Sequence, residues 1–288
     1  MTKNKLNMLV SAAVVAIAAA ATPITASATA LLGNELASFS ILAGGYATYG
    51  AGAIVSGKIG AVGYVVGGAG SSSGGDFTNT PVVATALSQL TSAQSALNAM
   101  TTTNTLFPTL SGNVTFNPGV YSASALTTAA GSVLTLDGGG ANNPTWVFNI
   151  PTYLVTGAGT QIKIVNAGSG ASVLWNTGGY ASLGAGTNFL GTILSGAYIS
   201  EGAGTTMGCG NTYAQSYISV PVGSNVTSSN CLGTGTWAGS PKGLGMGLDI
   251  TNGIAVAAVP EPQTYALLML GLGVVAFRVR RNKPIDQA

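Results

Sequence analysis

The sequence has no histidine and few charged residues, and these shortages limit the functions open to it. Without histidine, neither Ser-His-Asp nor Cys-His catalysis is available, and the commonest metal ligand is missing. Charged residues make up 6% of the chain, against about a quarter in ordinary proteins. Between residues 31 and 259, three positive and five negative side chains leave a net charge of −2. We therefore expect no nucleic-acid partner and no cofactor.

The few carboxylates offer no obvious acid-base pair for an enzyme. Two carboxylates distant in sequence meet in glycosidases, and the candidates for such a pair here are Asp137 and Glu201. Asp137 stands in a Leu-Asp-Gly-Gly-Gly string, where aspartate is typical of a turn. We expect a protein that is not an enzyme. The alternative, an exported hydrolase, needs those two side chains within roughly 10 Å of each other.

The first 28 residues have the three parts of a signal peptide. Two lysines precede an apolar run from Met8 to Ala21, and Ala26-Ser27-Ala28 offers a small-residue cleavage site. A retained membrane helix needs roughly 20 consecutive apolar residues, more than this run provides before Pro23. We expect signal peptidase to cleave near Ala28 and the chain to be exported.

The other end carries a Pro-Glu-Pro motif, an apolar run and an arginine cluster. These are Pro260, Glu261 and Pro262, then Tyr265 to Phe277, then Arg278, Arg280 and Arg281. Positive residues directly after an apolar run stay cytoplasmic, which favours a short transmembrane helix over a buried one. The 13 residues of the run span about 20 Å of a hydrocarbon core about 30 Å thick. That length suits a temporary tether better than a permanent anchor.

This C-terminal arrangement resembles the PEP-CTERM sorting signal of Gram-negative bacteria. The resemblance implies that an exosortase recognises residues 260–283 and releases the protein. We expect the C-terminal helix to hold the body transiently at the periplasmic side of the inner membrane, before the protein reaches the cell surface or the medium. Residues 240–259 are rich in glycine without a clear period and are predicted to be a linker.

The body, residues 29–239, is predicted to be mostly β-structure with one helix. Short strand-like runs bounded by turn residues include 133–136, 146–150, 161–165, 172–175 and 189–194. Residues 81–100 instead contain no glycine and carry apolar side chains at helical spacing, with Thr80 as N-cap and Pro81 in the first turn. Because no Lys or Arg flanks this helix, we expect it to pack on the body rather than on a membrane surface.

A Gly-Ser/Thr step recurs through the body at intervals that suggest stacked coils. The steps begin at Gly131, Gly159, Gly186, Gly204 and Gly223, separated by 28, 27, 18 and 19 residues. A coil of about 18 residues divides into three faces of about six, as in a β-solenoid whose coils share one core. A β-sandwich is the competing architecture, since its turn spacing is also acceptable.

Landmarks in a fixed order between Leu36 and Ser219 resemble the ice-binding-protein-like family of bacteria and fungi. They include Phe116-Asn117-Pro118-Gly119-Val120-Tyr121, Trp146-Val147-Phe148-Asn149-Ile150, Leu183-Gly184-Ala185-Gly186-Thr187 and Asn211-Thr212-Tyr213-Ala214-Gln215. The resemblance implies a discontinuous right-handed β-helix of triangular section, with the long helix along one side. It also implies that the protein adsorbs to ice.

A face that binds ice should be flat, rigid and uncharged, with hydroxyls and methyls at a fixed repeat. The candidates are Thr156, Thr160, Thr177, Thr187, Thr192, Thr205 and Thr206, next to small Ala and Gly residues. Threonine is also a common strand and turn residue in a Gly-rich coil, so each position has a purely structural alternative. The competing function is a structural or adhesive component of an extracellular polysaccharide matrix.

The two cysteines are Cys209 and Cys231, 22 positions apart, which is about one coil plus a corner. Export to an oxidising compartment favours a disulfide bond that clamps the last coils. The alternative is two separate buried thiols. No metal site is expected.

Overall fold

A computed structural model describes residues 29–141, 144–167, 171–227, 248–251 and 254–257. The chain divides into two units, residues 28–259 and residues 1–27 together with 260–288. The described residues all belong to the first unit. The predicted signal peptide, sorting motif and apolar C-terminal run lie outside the described residues. Within the described ranges, no helix is both long enough and apolar enough to cross a membrane.

Three parallel sheets, called sheets 1, 2 and 3, build the body. Sheet 1 contains, in spatial order, β10 (Thr109–Leu110), β13 (Leu126–Thr128), β16 (Leu154–Val155), β19 (Ala181–Leu183), β22 (Ile199–Glu201), β25 (Ile218–Val220), β3 (Tyr46–Tyr49) and β6 (Tyr64–Gly67). Sheet 2 contains β11 (Asn113–Phe116), β14 (Val133–Asp137), β17 (Gln161–Val165), β20 (Asn188–Leu190), β23 (Thr206–Gly208), β26 (Asn225–Thr227), β4 (Ile54–Val55) and β7 (Ser71–Ser72).

Sheet 3 completes each circuit of the chain. It contains β8 (Asp76–Thr78), β5 (Lys58–Ala61), β2 (Phe39–Ala43), β24 (Thr212–Ala214), β21 (Thr192–Ser195), β18 (Ser172–Thr177), β15 (Thr145–Ile150), β12 (Gly119–Ser122) and β9 (Asn104–Thr105). The chain passes through sheets 1, 2 and 3 in turn, so each circuit is one coil of a β-solenoid. The β-sandwich alternative is not adopted.

The coils do not stack in sequence order. In sheet 3, Leu42 of β2 pairs with Tyr213 of β24, and in sheet 1, Thr48 pairs with Ser219. The two N-terminal coils therefore continue the stack beyond the C-terminal ones, and the solenoid is discontinuous. Between β8 at one end of sheet 3 and β9 at the other, the chain returns along the side of the stack as a helix.

That helix, α1, spans Pro81–Asn98 and begins where the sequence predicts. The N–H of Val83 donates to the Thr80 hydroxyl at 3.4 Å, as expected for an N-cap. The apolar face of α1 packs on the outer side of sheet 3 in a cluster that includes Leu90, Leu97 and Leu174. Sheet 3 is therefore covered on both sides, so every residue of β18 is buried.

Aromatic side chains fill the interior between the sheets. The rings of Phe148 and Trp175 stack with centroids 3.9 Å apart. The indole N–H groups of Trp146 and Trp175 donate to the carbonyls of Phe116 and Leu190 at 3.1 and 3.0 Å. These bonds satisfy the only polar atom of each indole, so burying two tryptophans leaves no donor unpaired.

Two segments differ from the sequence-based expectation. The predicted strand 189–194 is two strands, β20 and β21, because Gly191 turns the chain between sheets 2 and 3 with φ 101°. The predicted linker contains β27 (Leu248–Thr251) and β28 (Ile254–Ala257), which form an antiparallel sheet with β1 (Thr29–Ala30). The Asn-Gly pair between β27 and β28 is the sequence signal for such a hairpin. A short 3₁₀ helix, Leu36–Ser38, leads into β2.

Candidate functional site

The structure places six of the seven candidate threonines in the interior, contrary to the expectation of a threonine surface. Five of them, Thr160, Thr177, Thr187, Thr192 and Thr205, have no exposed area, and Thr156 is 3% exposed. Thr206 alone among the seven is partly exposed, on the outer side of β23. The six buried side chains are not available to a crystal surface.

For Thr160, Thr187 and Thr205 the Gly-Ala-Gly-Thr strings explain this burial, because they form the corners between sheets 1 and 2. The second glycine of each string, at positions 159, 186 and 204, has φ between 66° and 70°, a conformation that favours glycine. The hydroxyls of Thr160 and Thr205 donate back to the carbonyls three residues earlier, both at 2.7 Å. Closing the turn in this way points the threonine inward.

Neighbouring corners are also joined to one another by hydroxyls. Thr128 and Thr160 share a hydrogen bond at 2.8 Å, and Thr156 and Thr187 share one at 3.0 Å. The N–H of Gly184 donates to the Thr156 hydroxyl at 3.0 Å. These threonines therefore hold adjacent coils together from inside.

A different set of side chains, which we call the outer row, lies on the solvent side of sheet 1. Each member is exposed or partly exposed, and in the three-residue strands its neighbours on either side are buried. The register pairs them in one continuous line: Thr109, Thr127, Val155, Ser182, Ser200, Ser219, Thr48 and Val66. The outer row thus consists of eight small, uncharged side chains.

Six tyrosines, which we call the tyrosine ladder, run beside the outer row, each two residues before one of its members. They are Tyr153, Tyr180, Tyr198, Tyr217, Tyr46 and Tyr64. Successive ring centroids are 5.5, 5.0, 4.8, 5.0 and 5.0 Å apart. This repeat is close to the strand spacing of about 4.8 Å, so each coil adds one ring to the stack.

The rings of the tyrosine ladder are nearly parallel, which indicates little rotation from one coil to the next. From Tyr180 to Tyr64, successive ring planes differ by only 2° to 7°. Adjacent strands in ordinary sheets rotate by about 20° to 25°, and flat sheets depend on stacking or side-chain ladders. A stack of near-parallel rings is such a ladder, and it favours a flat outer face of sheet 1 over these coils.

Sheet 1 is also the exposed face without charge. The one charged residue in its strands is Glu201, which points into the core and is 5% exposed. Sheet 2 instead carries Lys163 and Asp137 with partly exposed side chains. The Gly139 N–H and the Asn166 side-chain amide donate to Asp137, both at 3.0 Å, and lower the pKa of its carboxyl. Sheet 3 is covered by α1.

Comparison with known proteins supports the family suggested by the landmarks. The ice-binding-like family model matches residues 17–224. The chain belongs to the ice-binding-like family. A second model, the PEP-CTERM protein-sorting motif, matches residues 258–282, so the sorting motif is also present.

Relatives agree in sequence and in fold. An ice-binding protein of Nostoc sp. (strain HG1) is 32% identical over 72% of this chain and 70% of its own length. The crystal structure of an ice-binding protein from the Antarctic ascomycete Antarctomyces psychrotrophicus has 28% identity and a TM-score of 0.61, over 71% of this chain and all of that one. The DUF3494 domain of Shewanella frigidimarina ice-binding protein 1 shares the fold, with 24% identity and a TM-score of 0.57, over 72% of this chain and all of that domain.

The structure does not bring the two candidate carboxylates together. Asp137 lies on the outside of sheet 2, whereas Glu201 lies inside the solenoid. Their coils are three strand spacings apart, about 14 Å. Neither carboxylate oxygen of Glu201 has a hydrogen-bond partner, and burial raises its pKa to about 8. The described residues also contain no cluster of His, Cys, Asp or Glu able to hold a metal ion.

Cys209 is fully buried beside the last coil of sheet 2 and takes part in a disulfide bond. Cys231 lies outside the described residues, so its role as the partner stays a prediction. The sorting residues Pro260, Glu261, Pro262, Arg278, Arg280 and Arg281 lie outside the described residues as well.

The tyrosine ladder and the outer row were missed by the sequence analysis, although the sequence carries a signal for them. A tyrosine followed two residues later by Ser, Thr or Val occurs at each of the six ladder positions. The pattern is inconspicuous in the sequence because it follows the coil repeat, which is irregular in length.

Proposed function

We propose that the protein binds ice through the outer face of sheet 1. The observation that carries the proposal is the outer row, whose small uncharged side chains stand in strand register beside a nearly parallel stack of rings. Family membership supports ice as the ligand, since the relatives in Nostoc and Antarctomyces are named as ice-binding proteins.

The chemistry of the outer row suits a crystal of water. Ice presents water molecules in a fixed lattice and offers no charge for a side chain to pair with. A charged group would have to give up its own hydration at such a surface, which costs free energy. Short hydroxyl and methyl groups avoid that cost, and because the backbone already holds them about 4.8 Å apart, little entropy is lost on contact.

We also propose that the protein acts outside the cell. The sorting motif supports this, and signal peptidase would cleave near Ala28 before an exosortase acts at Pro260, Glu261 and Pro262. Changing both prolines to alanine should move the protein from the surface or medium to the membrane fraction. Equal release of this variant and the natural chain would remove the exosortase from the proposal.

Ice-affinity partitioning of the full chain tests the proposed function. A matched pair of variants locates the face: Ser200→Lys places a charge on sheet 1 and Thr206→Lys places one on sheet 2, in the same coil. We expect the natural chain and Thr206→Lys to concentrate in growing ice and Ser200→Lys to lose about tenfold in partition, the equivalent of about 1.4 kcal/mol.

Two other outcomes would count against the proposal. Exclusion of the natural chain from ice would end the proposal. Loss of partition in Thr206→Lys with Ser200→Lys unaffected would move the contact to sheet 2.

A further inference from the structure

We infer that the tyrosine ladder is a second contact row for ice, in which the phenol hydroxyls rather than the ring faces meet the crystal. The inference rests on the proposed function of sheet 1, because the ladder flanks the outer row along the same sheet. The residues in contact with ice would then include tyrosines, whereas the sequence suggested threonines.

The ring faces inside the ladder are already occupied. Tyr198 lies between Tyr180 at 5.0 Å and Tyr217 at 4.8 Å, with planes 4° and 2° from its own. Neither face of this ring is open to a flat ligand. Carbohydrate rings usually pack on open aromatic faces, so the interior of the ladder is a poor site for a polysaccharide. The solvent-exposed surface of the ladder consists of ring edges and hydroxyls.

The hydroxyls of the ladder differ from those of the other described tyrosines. Tyr49, Tyr121 and Tyr213 donate to Asp76, to the Asn117 carbonyl and to the Phe39 carbonyl, at 3.2, 2.6 and 3.0 Å. Within the described part of the chain, no ladder hydroxyl has a protein partner, and none is a buried unpaired atom. Six hydroxyls are therefore left facing water at a repeat of about 5 Å.

Stacking also prepares these hydroxyls for a periodic ligand. An isolated surface tyrosine loses rotamer freedom when a crystal fixes it, whereas a ring held between two neighbours has already lost most of that freedom. Burial in the stack and the neighbouring phenols Tyr198 and Tyr46 raise the pKa of Tyr217, so its hydroxyl stays protonated and both donates and accepts. A row of such groups matches water molecules that also donate and accept.

The test removes hydroxyls without removing rings. In the full chain, Tyr180→Phe, Tyr198→Phe and Tyr217→Phe are combined, which keeps the stack and the fold. The matched control, Thr115→Val with Thr135→Val, removes two hydroxyls from the outer side of sheet 2. Circular dichroism and the melting temperature show whether each variant is folded, and ice partition and thermal hysteresis are the readouts.

We expect the triple Phe variant to bind ice at least about fivefold more weakly, the effect of losing one net hydrogen bond, and the control to match the natural chain. Unchanged partition and hysteresis in a folded triple Phe variant would overturn the inference while leaving the proposed function intact. If the natural chain itself is excluded from ice, the proposed function fails, and the inference fails with it.

Discussion

Tyr198 and Tyr217 lie face to face, with ring centroids 4.8 Å apart and planes only 2° from parallel. They are 19 positions apart in sequence and belong to successive coils. A backbone hydrogen bond connects the same two coils directly before the rings, since the N–H of Ser216 donates to the Ala197 carbonyl at 2.8 Å. The stacking of the rings thus depends on how closely the backbone of one coil approaches the next at this corner.

In the coil of Tyr180, the close approach of the backbones requires glycine directly before the ring. A Cβ atom at Gly179, directly before Tyr180, would overlap the carbonyl oxygen of Thr152 in the next coil. We expect Gly179→Ala to push the coils apart and to lower the free energy of unfolding by about 3 kcal/mol. Gly204→Ala is the control, because a Cβ there meets open space and only the positive φ of 70° is strained, at about 1 kcal/mol. Thermal or denaturant unfolding measures both variants. If Gly179→Ala and Gly204→Ala lowered the free energy of unfolding equally, the overlap with the Thr152 carbonyl would be relieved without strain.

The buried corner threonines should matter for stability and not for ice. Thr160→Val keeps the shape of the side chain but removes hydrogen bonds to the Gly157 carbonyl and to Thr128. Because two buried side-chain hydrogen bonds are lost, we expect a loss of about 2 kcal/mol in unfolding free energy with unchanged ice partition per folded molecule. Thr206→Val, on the exposed side of β23, should change stability by less than about 0.5 kcal/mol. A loss of ice affinity in folded Thr160→Val would restore this residue as a contact.

Glu201 should make the protein less stable as the pH rises. Its pKa is raised from 4.5 to about 8 by burial, so the folded state keeps a proton that the unfolded chain loses above pH 4.5. Stability therefore falls between pH 4.5 and about 8 and levels off above that. A rise of the pKa from 4.5 to about 8 corresponds to about 5 kcal/mol at the alkaline limit.

Two substitutions of Glu201 separate ionisation from packing. Glu201→Leu should be more stable than the natural chain at pH 7 by about 3 kcal/mol, since its strand neighbours in the core are Leu183 and Val220. Glu201→Gln should give a flat profile over the same pH range, because it cannot ionise. Unfolding free energies measured from pH 4 to pH 9 check both, and a natural chain whose stability does not fall over this range would contradict the burial of an unpaired carboxyl.

Asp137 provides the opposite case for the same measurement. Hydrogen bonds from the Gly139 N–H and then from Asn166 lower the pKa of its carboxyl. Its contribution to the stability of the fold is therefore present above the unfolded pKa of 3.8 and is lost as the pH falls through the folded pKa. Asp137→Asn should therefore leave the alkaline slope unchanged and reduce only the acid-side loss. If Asp137→Asn changed the decrease in stability between pH 5 and pH 8, Glu201 would not be the only source of that decrease.

The end of α1 is fastened to sheet 3 by a small asparagine network. Asn149 donates to the Leu97 carbonyl at 2.7 Å, and Asn176 donates to the side-chain oxygens of Asn98 and Asn149 at 2.8 and 3.0 Å. We expect Asn149→Ala to cost about 2 kcal/mol and to speed amide hydrogen exchange in the last turn of α1. Exchange in the first turn, capped by Thr80, is the internal control, and equal acceleration at both ends would show that the network does not act locally.

Local signals in the sequence were enough for much of the fold. The N-cap Thr80, the first-turn Pro81 and the apolar spacing predicted α1 to within two residues at its C-terminal end. The recurring glycine steps predicted stacked coils, and they lie where the chain turns with positive φ. These features depend on a few neighbouring residues, and so they are visible without knowing what each coil packs against.

The side on which each residue lies was decided by the tertiary structure. In a strand, side chains alternate between the two faces, and a corner of one residue more or less reverses that alternation. The inward hydrogen bond of Thr160 decides which side chains of the following strand face the core. A composition rich in Thr, Ala and Gly does not reveal this. Six of the seven threonines predicted for the surface are therefore inside, whereas serines at 182, 200 and 219 are outside.

By itself, the sequence determined that the chain is poor in charge, carries a sorting motif, and winds into coils that turn at glycines, because each of these is encoded in short stretches. Only the tertiary structure decided that six tyrosines from separate coils form one stack and that the face beside them is free of charge. Four of the five stacked pairs are 18 to 27 positions apart and the pair Tyr217–Tyr46 is 171 apart, so the rings become neighbours at about 5 Å only when the coils pack in register, and register is a property of the whole stack.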